Sequence, residues 1–544
     1  MEKVLSRYIY WFESSTNKYL VYNSRYNSLY EVSGNVFKEL NKLKNDINYI
    51  DYISVDIMEI LNRNNIFVSE NEDDDFVLEL QYRTERAAFS KSKLGLILVP
   101  SLGCNFSCRY CFEEHKRDKV MDDKTIDSII LFIKNNKEAK ELELVWYGGE
   151  PLMAFSAIKK ILFRIKNEVN IPIVKHNIIT NGYYFNNDVI DYFKNNHLDV
   201  IQITLDGERE RHNNIRKIKE TNEHTYDKII DNIDNILNSL PNTSVHVRVN
   251  IEKSNINDYY EAVEVLGKKW SGKNVIIYPG MLRIENETNM KLSCNCLQKK
   301  EISEFMFDIN KRGILKQDIY PHSIFCKTCS ATRINSFIIG PYGEIYKCWN
   351  DVSDNNKVIA NVNDGKIINK SLYYRYLIGS KWYNNVSCRK CFFLPICNGS
   401  CAWYSLKNKY QNGELKSEDY ELAKEEMLKF NNNFNEPLRG HIIESATRVV
   451  NYRQYLYKNE TLIDFLELDY ELCERLGLQS IYKTKTKEEI DKDYYKKKLK
   501  LEGKVSEKEK LSQRRAKIKD LLAEGLKQKD ICSQLDISIK TYKR

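Results

Sequence analysis

Proline is scarce, with 9 in 544 residues, and glycine holds only 21 positions. That excludes collagen-like and low-complexity chains and leaves little room for a loop-rich scaffold stapled by disulfides. Nowhere does an apolar run approach the ~20 residues that cross a bilayer. The opening Met1-Glu2-Lys3-Val4-Leu5-Ser6-Arg7 lacks the apolar core and small-residue cleavage site of a secretory signal, so a cytoplasmic location is expected. An excess of one charge is also missing from most of the chain. The formal charge is +8, yet residues 481–544 hold 20 Lys and Arg against 11 Asp and Glu, leaving 64 against 65 in the first 480. The body is therefore no general polyanion binder. A hydrophobic content of 42% and a charged content of 29% exclude wholesale disorder.

What the chain does have is cysteine, 14 residues in uneven groups. Three lie at 104–111, two at 294–296, three at 326–348 and four at 388–401, with Cys473 and Cys532 apart. Tight C-x2-C groups without a signal peptide point to metal thiolates rather than disulfides.

The N-terminal 85 residues read as a small module. Tyr8–Phe12, Tyr19–Tyr22 and Ser28–Val32 are aromatic-rich strand candidates, and Asn35–Leu43 and Val55–Asn64 have helical apolar spacing. The combination predicts a winged-helix-like fold, and the acidic Glu70–Asp75 reads as a solvated boundary.

Residues 90–320 then alternate strand and helix. Leu94–Pro100, Leu142–Tyr147, Val174–Thr180, Val200–Leu205, Val245–Ile251 and Val275–Pro279 are apolar, β-branched runs. Helical patterns separate them, among them Asp123–Asn136, Ala157–Val169, Asn187–Asn195, Thr225–Leu237 and Asp258–Lys268. This predicts an α/β fold with a parallel sheet closing into a partial barrel, its chemistry on the loops after the strands. Residues 321–410 are cysteine-rich with little periodicity, a segment expected to lean on metal sites. Residues 411–480 read as polar helices, and 481–544 as a basic tail. In that tail Ala516–Gly525, Leu526–Gln534 and Ile539–Arg544 resemble a truncated helix-turn-helix.

Two cysteine patterns carry the chemistry. Cys104-x3-Cys108-x2-Cys111 is expected by chance about 0.01 times at this cysteine frequency. Three thiolates on a short loop suit three irons of a 4Fe–4S cluster and leave the fourth open. A zinc site with His115 as a further ligand is the blander alternative. The second pattern is Cys388-x2-Cys391-x5-Cys397-x3-Cys401, preceded by Cys326, Cys329 and Cys348, for which four-cysteine zinc is again the alternative.

The first motif, with Tyr110 as its aromatic, resembles the C-x3-C-x-aromatic-C signature of the radical S-adenosylmethionine (radical SAM) superfamily. The resemblance covers about residues 90–282. It implies that Cys104, Cys108 and Cys111 hold a 4Fe–4S cluster whose open iron binds SAM, and that one electron releases a 5′-deoxyadenosyl radical that takes hydrogen from a substrate. Gly148-Gly149-Glu150-Pro151 fits the SAM loop. The glycines allow a close backbone approach, and Glu150 can accept from an ammonium. The resemblance further implies that Asn181 and Thr204 lie near the SAM ribose and carboxylate, and that Arg216 and Arg248 are candidate anion contacts. Family members more often carry Ser where Thr204 stands.

The second pattern resembles the SPASM extension, which holds auxiliary 4Fe–4S clusters in enzymes that modify peptides. By position, Cys326, Cys329, Cys348 and Cys401 serve one cluster and Cys388, Cys391 and Cys397 another, which lacks the family's last cysteine and is therefore open at one iron, completed by Cys473, or absent. Sulfatase-maturing members carry an Asp base directly after the cysteine matching Cys348. Here that residue is Trp349, followed by Asn350 and Asp351. No ligand role is defensible for Cys294 and Cys296.

The resulting expectation is a radical SAM/SPASM maturase of a small precursor peptide, bound as an added strand by the N-terminal module. A thioether or other cross-link is the expected product, a Cys-rich peptide the natural substrate, and a flavodoxin or ferredoxin the electron donor. Maturation of a protein side chain of the sulfatase type is the second enzyme reading. A DNA-binding iron–sulfur regulator and a zinc-bound peptide scaffold are the readings from other classes.

Overall fold

The computed structural model describes residues 3–282 apart from 14–16, 109 and 112–118. It also describes 296–297, 301–302, 305–306, 308–309, 312–314, 328–397, 401–411, 414–415 and Leu521. Cys294, Cys326, Cys473, Cys532, His115, the helical extension beyond 415 and the helix-turn-helix-like tail lie outside the described residues. Two units are distinguished, 1–76 with 470–544, and 77–469.

In the first unit β1 (Lys3–Leu5) is followed by β2 (Ile9–Glu13), β3 (Tyr19–Asn23) and β4 (Ser28–Val32), an antiparallel meander. Asn27, at φ 52, makes the tight turn into β4. Helices α1 (Gly34–Asn45) and α2 (Val55–Arg63) follow, their first turns capped by the side chains of Ser33 and Ser54. β5 (Phe67–Ser69) returns to pair with β1. Val21, Tyr30, Val32, Val36, Leu40, Leu61 and Phe67 form the core.

The acidic run ends where the two units divide and is exposed at Glu70, Asp74 and Asp75, with Asp73 as its buried member. It opens helix α3 (Glu72–Ala88), where negative charge favours the helix N-terminus. Asp73 is buried, accepting from Ser6 Oγ at 3.1 Å and the Arg7 N–H at 2.8 Å, while Arg25 reaches Glu72 at 3.0 Å.

The second unit is built on nine strands. In chain order they are β6 (Lys93–Ser101), β7 (Glu141–Gly148), β8 (Ile173–Thr180), β9 (Val200–Leu205), β10 (Ser244–Ile251) and β11 (Val275–Met281), then β12 (Ser336–Ile339), β13 (Glu344–Tyr346) and β14 (Ala360–Asn361). The first six are parallel in sequential order, β6 to β11. Helices α4 (Asp123–Asn135), α5 (Phe155–Glu168), α6 (Asn187–Asn195), α7 (Arg209–Ile215), α8 (Tyr226–Ser239) and α9 (Ile256–Lys269) make the crossovers. Their apolar stripes, such as Ile126, Ile129, Ile130 and Ile133, are buried at helical spacing. Alternation along the strands separates two faces. Leu142, Leu144, Trp146, Ile201, Ile203, Val245 and Val247 are fully buried, while Glu143, Lys175, Asn177, Gln202, Thr204, His246 and Arg248 are half-buried on the other side.

The cysteine-rich segment holds more regular structure than its sequence suggests. β12 adds to the far edge of β6 in parallel, and β13 and β14 extend the same sheet antiparallel. Gly95 has no side chain because Ser336 occupies that space, with Ser336 Oγ 2.8 Å from where a Cβ would stand. Asn335 Nδ2 fastens the junction by donating to the carbonyls of Lys91 (3.0 Å) and Lys93 (3.1 Å). Past Cys401, Tyr410–Gln411 pairs antiparallel with Glu414–Leu415, where the sequence reads as helix. No helix among the described residues is long and apolar enough to cross a membrane.

Candidate active site and cysteine clusters

The three-cysteine loop leaves the end of β6 and is pinned from three sides. Ser101 Oγ accepts from the Gly103 N–H at 3.0 Å, and the Cys104 sulfur accepts from the Phe106 N–H at 3.4 Å. The chain after α7 runs antiparallel to the loop, with a Phe106–Ile218 bridge and a Lys219 N–H to Asn105 carbonyl bond of 2.8 Å. From β8, Asn181 Nδ2 donates to Asn105 Oδ1 at 2.7 Å. Burial pushes the Cys108 thiol up to about 11, with Arg216 opposing the rise and Asp206, Cys104 and Cys111 adding to it. The three thiols therefore lie within electrostatic reach of one another.

Gly148 and Gly149 are demanded first by this loop. A Cβ on either would collide with backbone carbonyls, those of Ser101 at Gly148 and of Gly103 and Leu102 at Gly149, and Gly148 has φ 133. Backbone bonds continue the pairing: Gly149 N–H to the Ser101 carbonyl (3.3 Å) and Glu150 N–H to the Gly103 carbonyl (2.9 Å). We expect Gly149→Ala to weaken SAM binding to the reconstituted protein at least about tenfold, or about 1.4 kcal/mol. Equilibrium binding checks this; unchanged affinity with the fold intact would mean the strand end and the cysteine loop need not touch.

The Glu150 carboxylate serves the protein itself. Fully buried, it accepts from Thr180 Oγ1 (2.7 Å), the Asn181 N–H (2.7 Å) and the Leu152 N–H (3.0 Å), and burial raises its pKa. Any ammonium contact through it would share a carboxylate that already ties β7 to the end of β8. Asn181 is likewise engaged: its Oδ1 accepts from the Tyr183 N–H at 2.9 Å.

Tyr110 anchors the loop through its hydroxyl. It donates to Asp206 and accepts from Arg216 Nη1 (2.8 Å) and Asn250 Nδ2 (3.0 Å). Arg216 Nη1 also reaches Asp206 at 3.2 Å, and the guanidinium lies over the Phe106 ring. Thr225 Oγ1 donates to the Arg216 carbonyl at 2.6 Å, so it accepts from His212 Nε2–H at 3.1 Å. His212 Nδ1 then accepts from the Asp206 N–H at 3.3 Å. That tautomer is neutral, and burial holds the His212 pKa well below its ordinary range. Thr204 stands half-buried beside Arg248 in register, and Arg248 lies across Gly280, where a Cβ would strike it.

Sequence reasoning reached Asn181 and Arg216 but passed over Asn105, Asp206 and Asn250. Asp206 could have been found from its place in the strand-end run Thr204-Leu205-Asp206-Gly207. Four buried polar atoms at these loops and strand ends have no hydrogen-bond partner among the described residues: Asn105 Nδ2, Arg216 Nε, Arg248 Nε and Asn250 Oδ1. Unsatisfied donors and an acceptor beside a loop bearing three thiols fit a polar cofactor held against a thiolate-ligated cluster.

A second thiol group forms in the cysteine-rich segment. Cys348 is buried and pushed well above its ordinary range by burial, then by Asp351, Cys401 and Cys329 nearby. These three of the four residues assigned by position thus come together, a donor set that fits an iron–sulfur cluster. Cys388 and Cys391 share a turn through a 3.2 Å backbone bond, and Cys397 is buried three residues beyond Leu394. Among the described residues no three His, Cys, Asp or Glu side chains converge on a single metal ion.

Asp351 is 2% exposed and accepts from Tyr376 Oη (2.6 Å) and Trp403 Nε1 (3.0 Å). Trp349 packs edge-on to Tyr147 at 5.6 Å and touches both the barrel cluster around Val99 and Leu102 and the cysteine-rich cluster around Cys348.

This arrangement is that of a radical SAM domain. Residues 98–266 match the Radical SAM superfamily, so the chain carries a radical SAM domain, of an enzyme class that works with a 4Fe–4S cluster and SAM. Over 475 residues it is 24% identical to the radical SAM cyclopropyl synthase TigE of Paramaledivibacter caminithermalis, spanning 76% of this chain and 92% of that relative. It is also 24% identical to a cysteine-type anaerobic sulfatase-maturating enzyme of Clostridium novyi, over 59% of this chain and 90% of the relative. Among solved structures, Streptococcus suis SuiB bound to precursor peptide SuiA matches with a TM-score of 0.42 at 15% identity, covering 76% of this chain and 98% of that one.

Proposed function

We propose that this chain is a SPASM-type maturase that modifies a ribosomally made precursor peptide, forming a thioether or other cross-link. The observation that carries the reading is the pinning of the three-thiol loop to Gly148-Gly149-Glu150, with the cysteine-rich segment built into the same sheet through β12. When bound, the cluster and SAM supply one-electron cleavage and a 5′-deoxyadenosyl radical. The protein's part is to hold that chemistry still. Cys104, Cys108 and Cys111 would ligate the cluster, and Tyr110, Asp206 and Arg216 lock their loop. Gly148 to Glu150, Asn181, Thr204, Arg216 and Arg248 would frame SAM.

The auxiliary clusters would sit on Cys326, Cys329, Cys348 and Cys401, and on Cys388, Cys391 and Cys397. The residues 1–85 would recognise the peptide as a strand added to the meander, whose β2 edge presents the half-buried Tyr10 and Trp11. The name of the TigE relative makes carbon–carbon ring closure an alternative product. The sulfatase-type reading is weaker, because Trp349 takes the place after Cys348 and Asp351 is enclosed by Tyr376 and Trp403. A flavodoxin or ferredoxin is the natural electron donor.

Anaerobic reconstitution tests the proposal. The protein should take up iron and release 5′-deoxyadenosine from SAM with dithionite. Cys108→Ala should bring that release to background. A protein that binds no iron and cleaves no SAM would end the reading.

A further inference from the structure

Lys347 and Lys381 are two buried lysines whose amino groups bond the backbone that follows Cys329. Lys347 is 1% exposed, and its Nζ donates to the carbonyls of Arg333 (2.5 Å) and Ser336 (2.7 Å) while facing the rings of Phe337 and Tyr373. Lys381 is 5% exposed, and its Nζ donates to the Thr332 carbonyl at 3.4 Å. These carbonyls belong to the short stretch that opens with the turn Ser330–Thr332, immediately after Cys329. The two lysines thus clamp the backbone that carries a candidate ligand.

Neither has a carboxylate within ion-pair distance among the described residues. Burial works against a charge on Lys347 and lowers its pKa; of the charges acting on it, Cys329 opposes that fall, and Arg333 and Lys381 add to it. Arg333 is itself committed to Glu143 at 2.9 Å. Burial likewise lowers Lys381, opposed by Cys329 and then by Glu85, which also accepts from Gln81. Taking an ammonium out of water costs several kcal/mol unless negative charge compensates it. Backbone carbonyls supply dipoles but no net charge. Two such groups in one place favour an anion, and the Cys329 thiol, which acts on both lysines, lies near Cys348 together with Cys401.

We infer that Lys347 and Lys381 are the built-in counter-charges of an anionic auxiliary iron–sulfur cluster at Cys329, Cys348 and Cys401, and that they raise its reduction potential. The inference rests on the auxiliary-cluster reading above. One-electron reduction adds one negative charge to the cluster. A cation fixed in a poorly solvated interior stabilises the reduced form more than the oxidised one. The pair therefore suits this cluster to accept an electron rather than to give one up.

The test uses the full chain with Cys104, Cys108 and Cys111 changed to Ala, reconstituted anaerobically so that only auxiliary iron remains. Iron content is measured, and the reduced signal is titrated with dithionite by EPR against potential. Lys381→Met keeps the aliphatic stem and removes the charge. At the parent's midpoint, the reduced-to-oxidised ratio should fall about tenfold, a negative shift of about 59 mV for one electron. Lys347→Met should shift it the same way, and Lys381→Arg should restore the parent value. Iron retained with an unmoved midpoint in Lys381→Met would overturn the inference. A parent that binds no iron would instead remove the auxiliary-cluster reading itself. Should Lys347→Met lose its iron, Lys381→Met, whose single bond is longer, still decides the question.

Discussion

Changing Asp206 to Ala should destabilise the protein by roughly 3–5 kcal/mol, the range for breaking a buried ion pair from one side. Arg216 is 7% exposed and Asp206 1%, and Nη1 reaches the carboxylate at 3.2 Å. Without Asp206 the guanidinium keeps Tyr110 as a partner but loses its ion pair. The damage should travel, because Tyr110 lies between Cys108 and Cys111 and Arg216 covers Phe106 in the same loop. Iron retention should therefore fall together with the anaerobic thermal midpoint. Asp206→Asn should lose less. The double variant Asp206→Ala with Arg216→Leu should recover part of the loss, since the uncompensated charge is gone, and the double-mutant cycle measures the coupling. A thermal midpoint equal to the parent's in Asp206→Ala would mean that solvent reaches the guanidinium.

Glu150→Ala should be of similar severity, roughly 3–5 kcal/mol, because it strands three buried donors at once. Those donors are Thr180 Oγ1, the Asn181 N–H and the Leu152 N–H. Asn181 in turn holds Asn105 in the cysteine loop, so SAM affinity and stability should decline together. Glu150→Gln separates this structural tie from a direct charge contact. A neutral amide keeps one acceptor oxygen, so the tie predicts partial loss of both properties. If SAM binding vanished while the thermal midpoint stayed put, the carboxylate would instead be meeting the cofactor's ammonium.

Much of this was legible in the sequence. The six barrel strands are long, apolar and separated by helices with clear stripes, so Val200–Leu205 and its neighbours fall where periodicity puts them. The cysteine spacings are legible because loop ligands are local in sequence. Short strands leave no such trace: β12 has four residues, β13 three and β14 two, too few for any period to register. Partnerships are equally hidden. Nothing in Gly-Gly-Glu reveals that the glycines answer to the carbonyls of Ser101, Leu102 and Gly103, or that the glutamate answers to β8. The burial of Asp73 inside an otherwise exposed acidic run is hidden for the same reason, since Arg7 and Arg25, which meet it, lie more than a helix away in sequence.

The pairing of β12 with β6 also sets a timetable for synthesis. Asn335 binds the carbonyl of Lys93 across 242 positions. At ~5–20 residues per second on the ribosome, the outer edge of β6 waits roughly ten to fifty seconds for its partner. Through that interval an apolar parallel strand stands with open backbone groups, the kind of edge that invites pairing with another nascent chain. Crowded expression should accordingly favour aggregates, and slower induction or colder growth should favour soluble protein. A barrel cut off before β12 would keep that edge exposed for good.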